Sequence, residues 1–341
     1  MSEANLLTDE SLTDKRICGL SWQRTLQQAV RDIDELAGLL EIPVARLRSA
    51  ACDSSGFPLL VPRGYVARMN KRDLHDPLLL QVLPRTAENV DATGFSDDPL
   101  REQDIADDGV IRKYHGRALL IASGACPVHC RYCFRRAFPY ARQLASRHDW
   151  ERAIGKLRRA GDISEVILSG GDPLNVSNRR LEALFDALET IESVRCIRIH
   201  TRFPIMIPER VDNGLLALLE RSSAKIVIVV HCNHANELDS GVEAALRTLS
   251  GPADLLLNQS VLLSGINDDV ETLAELSRRL LHCGVLPYYL HTLDPVTGTA
   301  HFQVDDARAR ALLCGLRSEL PGYLVPKLVR EVPGELSKTP L

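Results

Sequence analysis

The chain has 341 residues, 45% hydrophobic and 25% charged, with 41 basic against 45 acidic side chains and a formal net charge of -4. This is ordinary globular composition, long enough for one large α/β domain with an appendage or for two domains. It lacks the global positive charge that would favour nucleic acid. The N-terminal MSEANLLTDESLTDKR has no basic segment followed by an apolar core, and no apolar run approaches the ~20 residues of a membrane-spanning helix. The expectation is therefore a soluble, cytoplasmic protein. Nine cysteines in such a chain ask, at least in part, for a metal or redox explanation rather than a disulfide framework.

From Ser21 to about Leu47, Trp22, Leu26, Ala29, Ile33, Leu36 and Leu40 recur at helical spacing, which predicts an amphipathic helix followed by a second short one. These helices are expected to cap the rest of the molecule. Residues 56–110 are rich in Pro, Asp and Arg and weakly periodic, so they are expected to pack onto another body instead of forming a core. From Arg117 onward, strands are predicted at Ala118 to Ala122, Glu165 to Leu168, Cys196 to His200, Lys225 to His231, Leu255 to Val261 and Val285 to His291. Helices are predicted between and after them, at Trp150 to Arg159, Arg180 to Ile191, Glu209 to Arg221, Leu238 to Leu249, Val270 to Cys283 and Ala307 to Leu320. Six strand–helix alternations imply parallel strands with right-handed crossovers, in a doubly wound sheet or part of a barrel.

The reactive residues fall at one phase of this pattern. SGACPVHCRYCFRR follows the first strand, SGGDPL the second, HTRFP the third and HCNHANEL the fourth; NQS lies in the fifth, and the sixth ends in LHTLDPVTG. In parallel α/β architectures the carboxyl ends of strands converge on one face, so these six segments are expected to line one cavity. Turn-forming Gly, Asp and Asn would appear there in any case, but His, Cys, Arg and Gln are less expected.

Cys126, Cys130 and Cys133 form C-x-x-x-C-x-x-C. Three thiolates in one short loop suit three corners of an iron–sulfur cluster and leave one iron open. The alternatives are a zinc site, a reactive thiol pair, or unrelated core cysteines, as Cys18, Cys52, Cys196, Cys232, Cys283 and Cys314 are expected to be.

With Tyr132 just before the last cysteine, this loop resembles the signature of the radical S-adenosylmethionine superfamily. The resemblance implies a 4Fe-4S cluster whose open iron takes the amino and carboxylate groups of S-adenosyl-L-methionine and cleaves it reductively. Gly170, Gly171 and Asp172 match that family's GGE-type motif, with Asp for Glu, which contacts the amino group of the adenosylmethionine. From about Asp76 to Leu341 the chain is similar to the lysine 2,3-aminomutase family. CRYCFRR, HTRFPIMIPER, HCNHANEL, NQSVLLSGIND and LDPVTGTAHF follow in that family's order.

The resemblance further implies pyridoxal 5'-phosphate held by Lys338 in VPGELSKTPL; taken alone, a C-terminal lysine reads as solvated. Lys113, Tyr114 and Arg117 in KYHGR stand where the family contacts the phosphate, although a surface charge pair is the plainer reading of two cations. Gln259 and His231 stand in the adenosylmethionine pocket, and Arg135 where the substrate carboxylate is bound. Asp294 takes the place that holds the substrate's distal ammonium, and Glu331 stands where a second aspartate is usual. A loop aspartate before proline is otherwise an ordinary turn residue.

The implied fold is a partial (β/α)6 TIM-like barrel: an N-terminal region packing on the barrel over 1–110, the radical core over 111–321, and a C-terminal segment carrying the pyridoxal phosphate lysine over 322–341. The implied reaction is conversion of L-lysine to (R)-β-lysine by 1,2-amino migration. Gly-Glu-Leu-Ser before Lys338 and the short tail after it resemble the branch that supplies β-lysine for a lysine of elongation factor P. Partners implied are a flavodoxin or ferredoxin reductant and, functionally, elongation factor P with its β-lysine ligase, with no nucleic acid or membrane. Competing functions are an aminomutase of free-lysine catabolism or of another amino acid such as glutamate, an iron–sulfur electron carrier or zinc-binding interaction module, and a plain barrel scaffold.

Overall fold

The computed structural model describes residues 21–52, 57–140 and 150–341; Cys18 lies outside them. Nine strands form one sheet in chain order: β1 (Val110–Ile111), β2 (Arg117–Ser123), β3 (Glu165–Gly170), β4 (Cys196–Thr201), β5 (Lys225–Val230), β6 (Leu255–Val261), β7 (Leu286–His291), β8 (Lys327–Arg330) and β9 (Thr339–Pro340). β2 to β8 run parallel, whereas β1 and β9 add antiparallel edges. The six expected strands are therefore joined by a seventh parallel strand, β8. LVR after a helix-ending proline is too short to carry a periodic signal, and its pairing with Tyr289, Leu290 and His291 of β7 makes it a strand.

The period-2 alternation of strand side chains separates two environments. Leu120 and Ala122, Val166 and Leu168, Ile197 and Ile199, Ile226, Ile228 and Val230, and Leu256 are buried in the same apolar core as the outer helices. That core takes Ile154 and Leu157 from the helix Glu151–Ala160, Leu181, Leu184, Phe185 and Leu188 from Asn178–Glu189, and Leu215, Leu218 and Leu219 from Asn213–Arg221. A second core joins Leu290 and Leu328 to Leu312, Leu313 and Leu316 of the helix Asp306–Glu319. The other face carries Leu119, Ser169, Arg198, His200, Gln259, Val261, Tyr289 and His291. These residues line one cavity with the loops beyond the strands, so the sheet is curled into a partial barrel.

Helix starts follow local capping. The helix expected from Glu209 begins at Asn213, because Pro208–Arg210 forms a separate 3-10 turn and the Asp212 carboxylate accepts from Leu215 N. The amphipathic helix expected after Ser21 is divided into Trp22–Gln27 and Ile33–Leu39, and the short one that follows it is Val44–Ala50. Val30 leaves the helical path to pair with Val61, Asp32 caps a new helix through Asp34 N and Glu35 N, and Pro43 precedes the third.

Residues 57–105 contain only short helices, but Tyr65, Val66, Leu78, Leu79, Val82 and Leu83 enter the barrel's own core. Asp76 anchors this segment: its carboxylate accepts from Leu78 N, Leu79 N and Asn70 N. No helix among the described residues is long and apolar enough to cross a membrane.

Candidate active site

The cavity has a volume of about 920 Å³ and receives residues from the ends of β2 to β8 and from the cysteine loop. Cys126, Cys130, Tyr132, Cys133, Arg135, Gly170, Gly171, Asp172, His231, Gln259, Asp294, Glu331, Lys338, Lys113, Tyr114 and Arg117 all line it. The sequence-predicted site residues are thus brought to one enclosure, although their side chains are engaged in ways the sequence did not indicate.

The cysteine loop is held from outside the barrel. His129 N donates to Leu60 O and Arg131 N to Gln81 O. The Arg131 guanidinium lies on Glu88, with Nε 2.7 Å from Oε1, and Arg136 Nη2 donates to the same carboxylate at 2.8 Å. Leu60, Gln81 at the end of the Pro77–Leu80 turn, and Glu88 in the 3-10 turn Thr86–Asn89 therefore clamp the loop.

Inside, Gly171 N donates to Ser123 O at 2.7 Å and Asp172 N to Ala125 O at 2.9 Å, joining the SGGD turn to the start of the loop. A Cβ at Gly171 would stand 2.6 Å from Ala125 O, which only glycine avoids. Gly171→Ala is expected to destabilise the fold by about 1–3 kcal/mol through this overpacking, read as a lower urea midpoint at unchanged slope.

Burial pushes the Cys133 thiol up to about 11 and the Cys126 thiol well above its ordinary value, with neighbouring cysteines adding to the effect. Cys130 Sγ instead accepts from Arg202 Nη1 at 2.6 Å. Among the described residues, no three His, Cys, Asp or Glu side chains converge closely enough to hold a single metal ion. The three thiols are arranged around the loop and not on one point, which is not the geometry of a mononuclear zinc site.

The Asp172 carboxylate is occupied: Oδ1 accepts from Thr201 Oγ1 at 2.8 Å and Leu174 N at 3.0 Å, and Oδ2 from Arg202 N at 2.7 Å. Burial raises it to about 6 against these bonds. Three protein donors thus fix the orientation of this carboxylate at the end of the SGGD turn. His231 is held down to about 3 by burial, so the ring is neutral; Gln259 Nε2 lies 2.8 Å from its Nε2. The amide then donates and the ring proton sits on Nδ1.

Five charges alternate across the cavity. Arg135 grips Glu102 with Nε and Nη2 at 2.6 and 2.9 Å, Lys113 Nζ lies 2.8 Å from Glu102 Oε1, the oxygen that Nη2 also reaches, Glu331 bridges Lys113 and Lys338, and Lys338 Nζ is 2.6 Å from Glu331 Oε2. Burial disfavours the Glu331 carboxylate, but Lys338 and Lys113 outweigh it and hold the group down at about 2. Lys113 thus pairs with two carboxylates, Glu102 and Glu331, and Glu331 pairs with two lysines, Lys113 and Lys338. The Nε edge of Arg135 belongs to Glu102, and Nη1 donates to Ser169 Oγ at 3.0 Å. By contrast, Arg117 has no carboxylate partner among the described residues and stacks on Tyr114, its guanidinium 5.1 Å from the ring centroid.

The Asp294 carboxylate accepts no hydrogen bond among the described residues, and burial, with the nearby Glu331 charge, raises it to about 7. Its loop is pinned by the N-terminal region: Ser96 N donates to Pro295 O and Thr297 N to Ser96 O. Two imidazole nitrogens, His200 Nε2 and His291 Nε2, are also buried without a partner at this cavity.

Glu102, Arg202, Glu237 and Gln81 had no place in the sequence-derived site. HTRFP was singled out as a segment, which placed Arg202 at a strand end. Glu102 lies in an irregular stretch with no local signal at all.

No family model matches the chain. The curated protein named L-lysine 2,3-aminomutase from Escherichia coli is 46% identical over 94% of this chain and 94% of its own length. The protein of the same name from Haemophilus influenzae is 41% identical over 94% and 95%. That from Clostridium subterminale is 31% identical over 94% of this chain and 77% of the relative. Among solved structures, a radical SAM methyltransferase from Sphaerobacter thermophilus is similar over 65% of this chain and 68% of that one, at a TM-score of 0.45 and 18% identity. Identity at this level over 94% of the chain places it: the protein is an isomerase of the L-lysine 2,3-aminomutase family.

Proposed function

We propose that the protein converts L-lysine to (R)-β-lysine by moving the amino group from C2 to C3, and that the product serves modification of a lysine on elongation factor P. The observation that carries the reading is one cavity in which three cysteines, Lys338 and the Asp294 carboxylate, which has no hydrogen-bond partner among the described residues, meet. The elongation factor P assignment draws on the Gly-Glu-Leu-Ser stretch before Lys338. Flavodoxin or ferredoxin is the proposed electron donor, and the β-lysine ligase acts downstream.

The donor set suits a 4Fe-4S cluster, S-adenosylmethionine and pyridoxal 5'-phosphate. The buried thiols of Cys126 and Cys133 carry a penalty as bare thiolates that iron ligation removes. Among the described residues Arg117 has no carboxylate partner and stacks on Tyr114, and His200 Nε2 and His291 Nε2 are buried without a hydrogen-bond partner. When bound, the three groups supply radical generation and a carbonyl carrier for the migrating amine.

The chain's residues place and insulate. Cys126, Cys130 and Cys133 hold three irons; the backbone of Gly170 and Gly171, with Tyr132, Gln259 and neutral His231, forms the adenosylmethionine wall. Arg117 and Tyr114 take the phosphate, while Lys113 balances Glu102 and Glu331. Lys338 would carry the pyridoxal group, and Glu331 positions the free Lys338 ammonium for it. Glu102 orients Arg135, which would bind the substrate carboxylate. Asp294 takes the distal ammonium. Leu119, Ile167 and Val261 contribute apolar wall that excludes water.

A carboxyl raised to about 7 is half protonated at neutral pH, and only its ionised form pairs with an ammonium. kcat/KM for L-lysine is therefore expected to rise through about pH 7, and Asp294→Asn to lower it at least tenfold and flatten the profile. The sign also appears in stability. The raised value means the ligand-free fold loses stability as pH rises from the ordinary carboxyl range through about 7, and the Asn variant lacks that slope. An unchanged pH profile in the variant would assign the distal ammonium to another group.

The decisive test is anaerobic turnover of reconstituted protein with adenosylmethionine, pyridoxal phosphate, a low-potential reductant and L-lysine, with chiral mass-spectrometric detection. (R)-β-lysine is expected. The opposite enantiomer would keep the reaction and reject the elongation factor P branch, and adenosylmethionine cleavage without β-lysine would reject free lysine as substrate.

A further inference from the structure

The guanidinium of Arg202, just beyond β4, is buried beside the cysteine loop and makes three hydrogen bonds: Nη1 to Cys130 Sγ at 2.6 Å, Nη2 to Gln81 Oε1 at 2.7 Å, and Nη2 to Glu237 Oε2 at 2.9 Å. The rings of Tyr132 and Tyr65 flank it, with centroids 5.6 and 5.9 Å from Cζ. Its backbone N–H is fixed by Asp172. Glu237 is fully buried and also accepts from Gln81 Nε2, Asn233 N and His234 N, so the counter-charge is as rigidly placed as the cation.

We infer that Arg202 sets the reduction potential of the cluster held by Cys126, Cys130 and Cys133, by placing a charged hydrogen-bond donor on the Cys130 sulfur. This rests on the cluster reading above. Arg202 and Glu237 form an ion pair whose positive end touches the sulfur while its negative end lies on the far side of the guanidinium. Reduction adds one electron to the cluster. A cation in hydrogen-bond contact with a ligating sulfur stabilises the reduced form more than the oxidised one, and burial keeps water from screening it. The arrangement also explains the choice of arginine. A planar fork reaches sulfur and carboxylate at once with fixed geometry, whereas a lysine ammonium is a point charge that serves one of them well.

Charge removal on the two sides of the pair must then act in opposite directions. Arg202→Gln takes away the cation and leaves Glu237 uncompensated near the cluster, so the midpoint falls. Arg202→Lys keeps the charge and is expected to fall less. Glu237→Gln leaves the cation unopposed, so the midpoint rises. A merely structural role of Arg202 predicts no such change of sign.

The experiment is an electron-paramagnetic-resonance-monitored redox titration of reconstituted protein with dithionite and mediators, with iron and sulfide counted per chain. For iron-loaded Arg202→Gln, the reduced-to-oxidised ratio at fixed potential is expected to drop at least tenfold, which is about 59 mV for a one-electron couple. Glu237→Gln should move the other way. Equal midpoints in iron-loaded wild type and Arg202→Gln would overturn the inference, as would shifts of the same sign in Arg202→Gln and Glu237→Gln. Should Arg202→Gln fail to take up iron, the order Arg202→Lys below wild type below Glu237→Gln carries the test. Failure of all three to load iron would overturn it by making the pair a scaffold of the loop. Absence of a cluster in the wild type is a different result and rejects the cluster reading itself.

Discussion

Cys130→Ala is expected to leave the protein folded but without a stable cluster, with iron at adventitious levels and β-lysine formation at background. Two thiolates hold a cluster that was built for three, and the Arg202 guanidinium loses the sulfur it contacts. Removing the thiol does not open the core, because Cys130 is only partly buried and the loop around it is fixed by Leu60, Gln81 and Glu88. Far-ultraviolet dichroism and the urea midpoint should therefore stay near wild type while iron is lost. Cys126→Ala and Cys133→Ala should behave alike. Normal iron and full turnover in any one of the three would remove that residue from the ligand set.

Lys338→Ala is expected to abolish turnover and the visible absorbance of covalently held pyridoxal phosphate, and to leave no borohydride-fixed adduct on peptide mapping. Lys338 is partly buried, paired with Glu331 and 5.8 Å from the Tyr289 ring centroid, so the substitution removes a charge as well as a nucleophile. Lys338→Arg separates the two effects. Arginine preserves the pairing with Glu331 yet holds no cofactor covalently. Both variants are expected to lose activity to background, with Lys338→Arg keeping wild-type stability. An adduct persisting on another lysine would move the site, Lys113 being the nearest candidate because it shares Glu331.

How far the site could be read in advance varies by residue. The cysteine triplet is legible because its ligands are close in sequence, so spacing alone carries the chemistry. Lys338 is legible only through resemblance, since as a residue it is an ordinary terminal lysine. Asp294, Arg135 and Glu331 could be nominated the same way, but their partners could not. Arg135 meets Glu102 from 33 positions away, and Lys113 meets Glu331 across 218. No local periodicity encodes such pairings; that of Lys113 with Glu331 depends on where the chain returns after the six crossovers from β2 to β8. The N-terminal region follows the same logic. The apolar spacing from Trp22 to Leu40 suggested one amphipathic helix before a second short one, and pairing of Val30 with Val61 divides the first.

The sequence by itself determined the strand–helix alternation from Arg117 to Leu320, because burial of one face per element writes itself into local periodicity. It also determined the phase at which reactive residues occur, since strand ends and loops are contiguous in the chain. The family followed from identity along the chain. Only the tertiary structure decided that β8 joins the sheet as a seventh parallel strand, that Gln81 and Glu88 hold the cysteine loop, and that Glu331 binds two lysines. It alone placed a paired arginine on the Cys130 sulfur. Each of these is a hydrogen bond or ion pair between distant segments. Its strength comes from burial, which the chain acquires only after the barrel has closed around it.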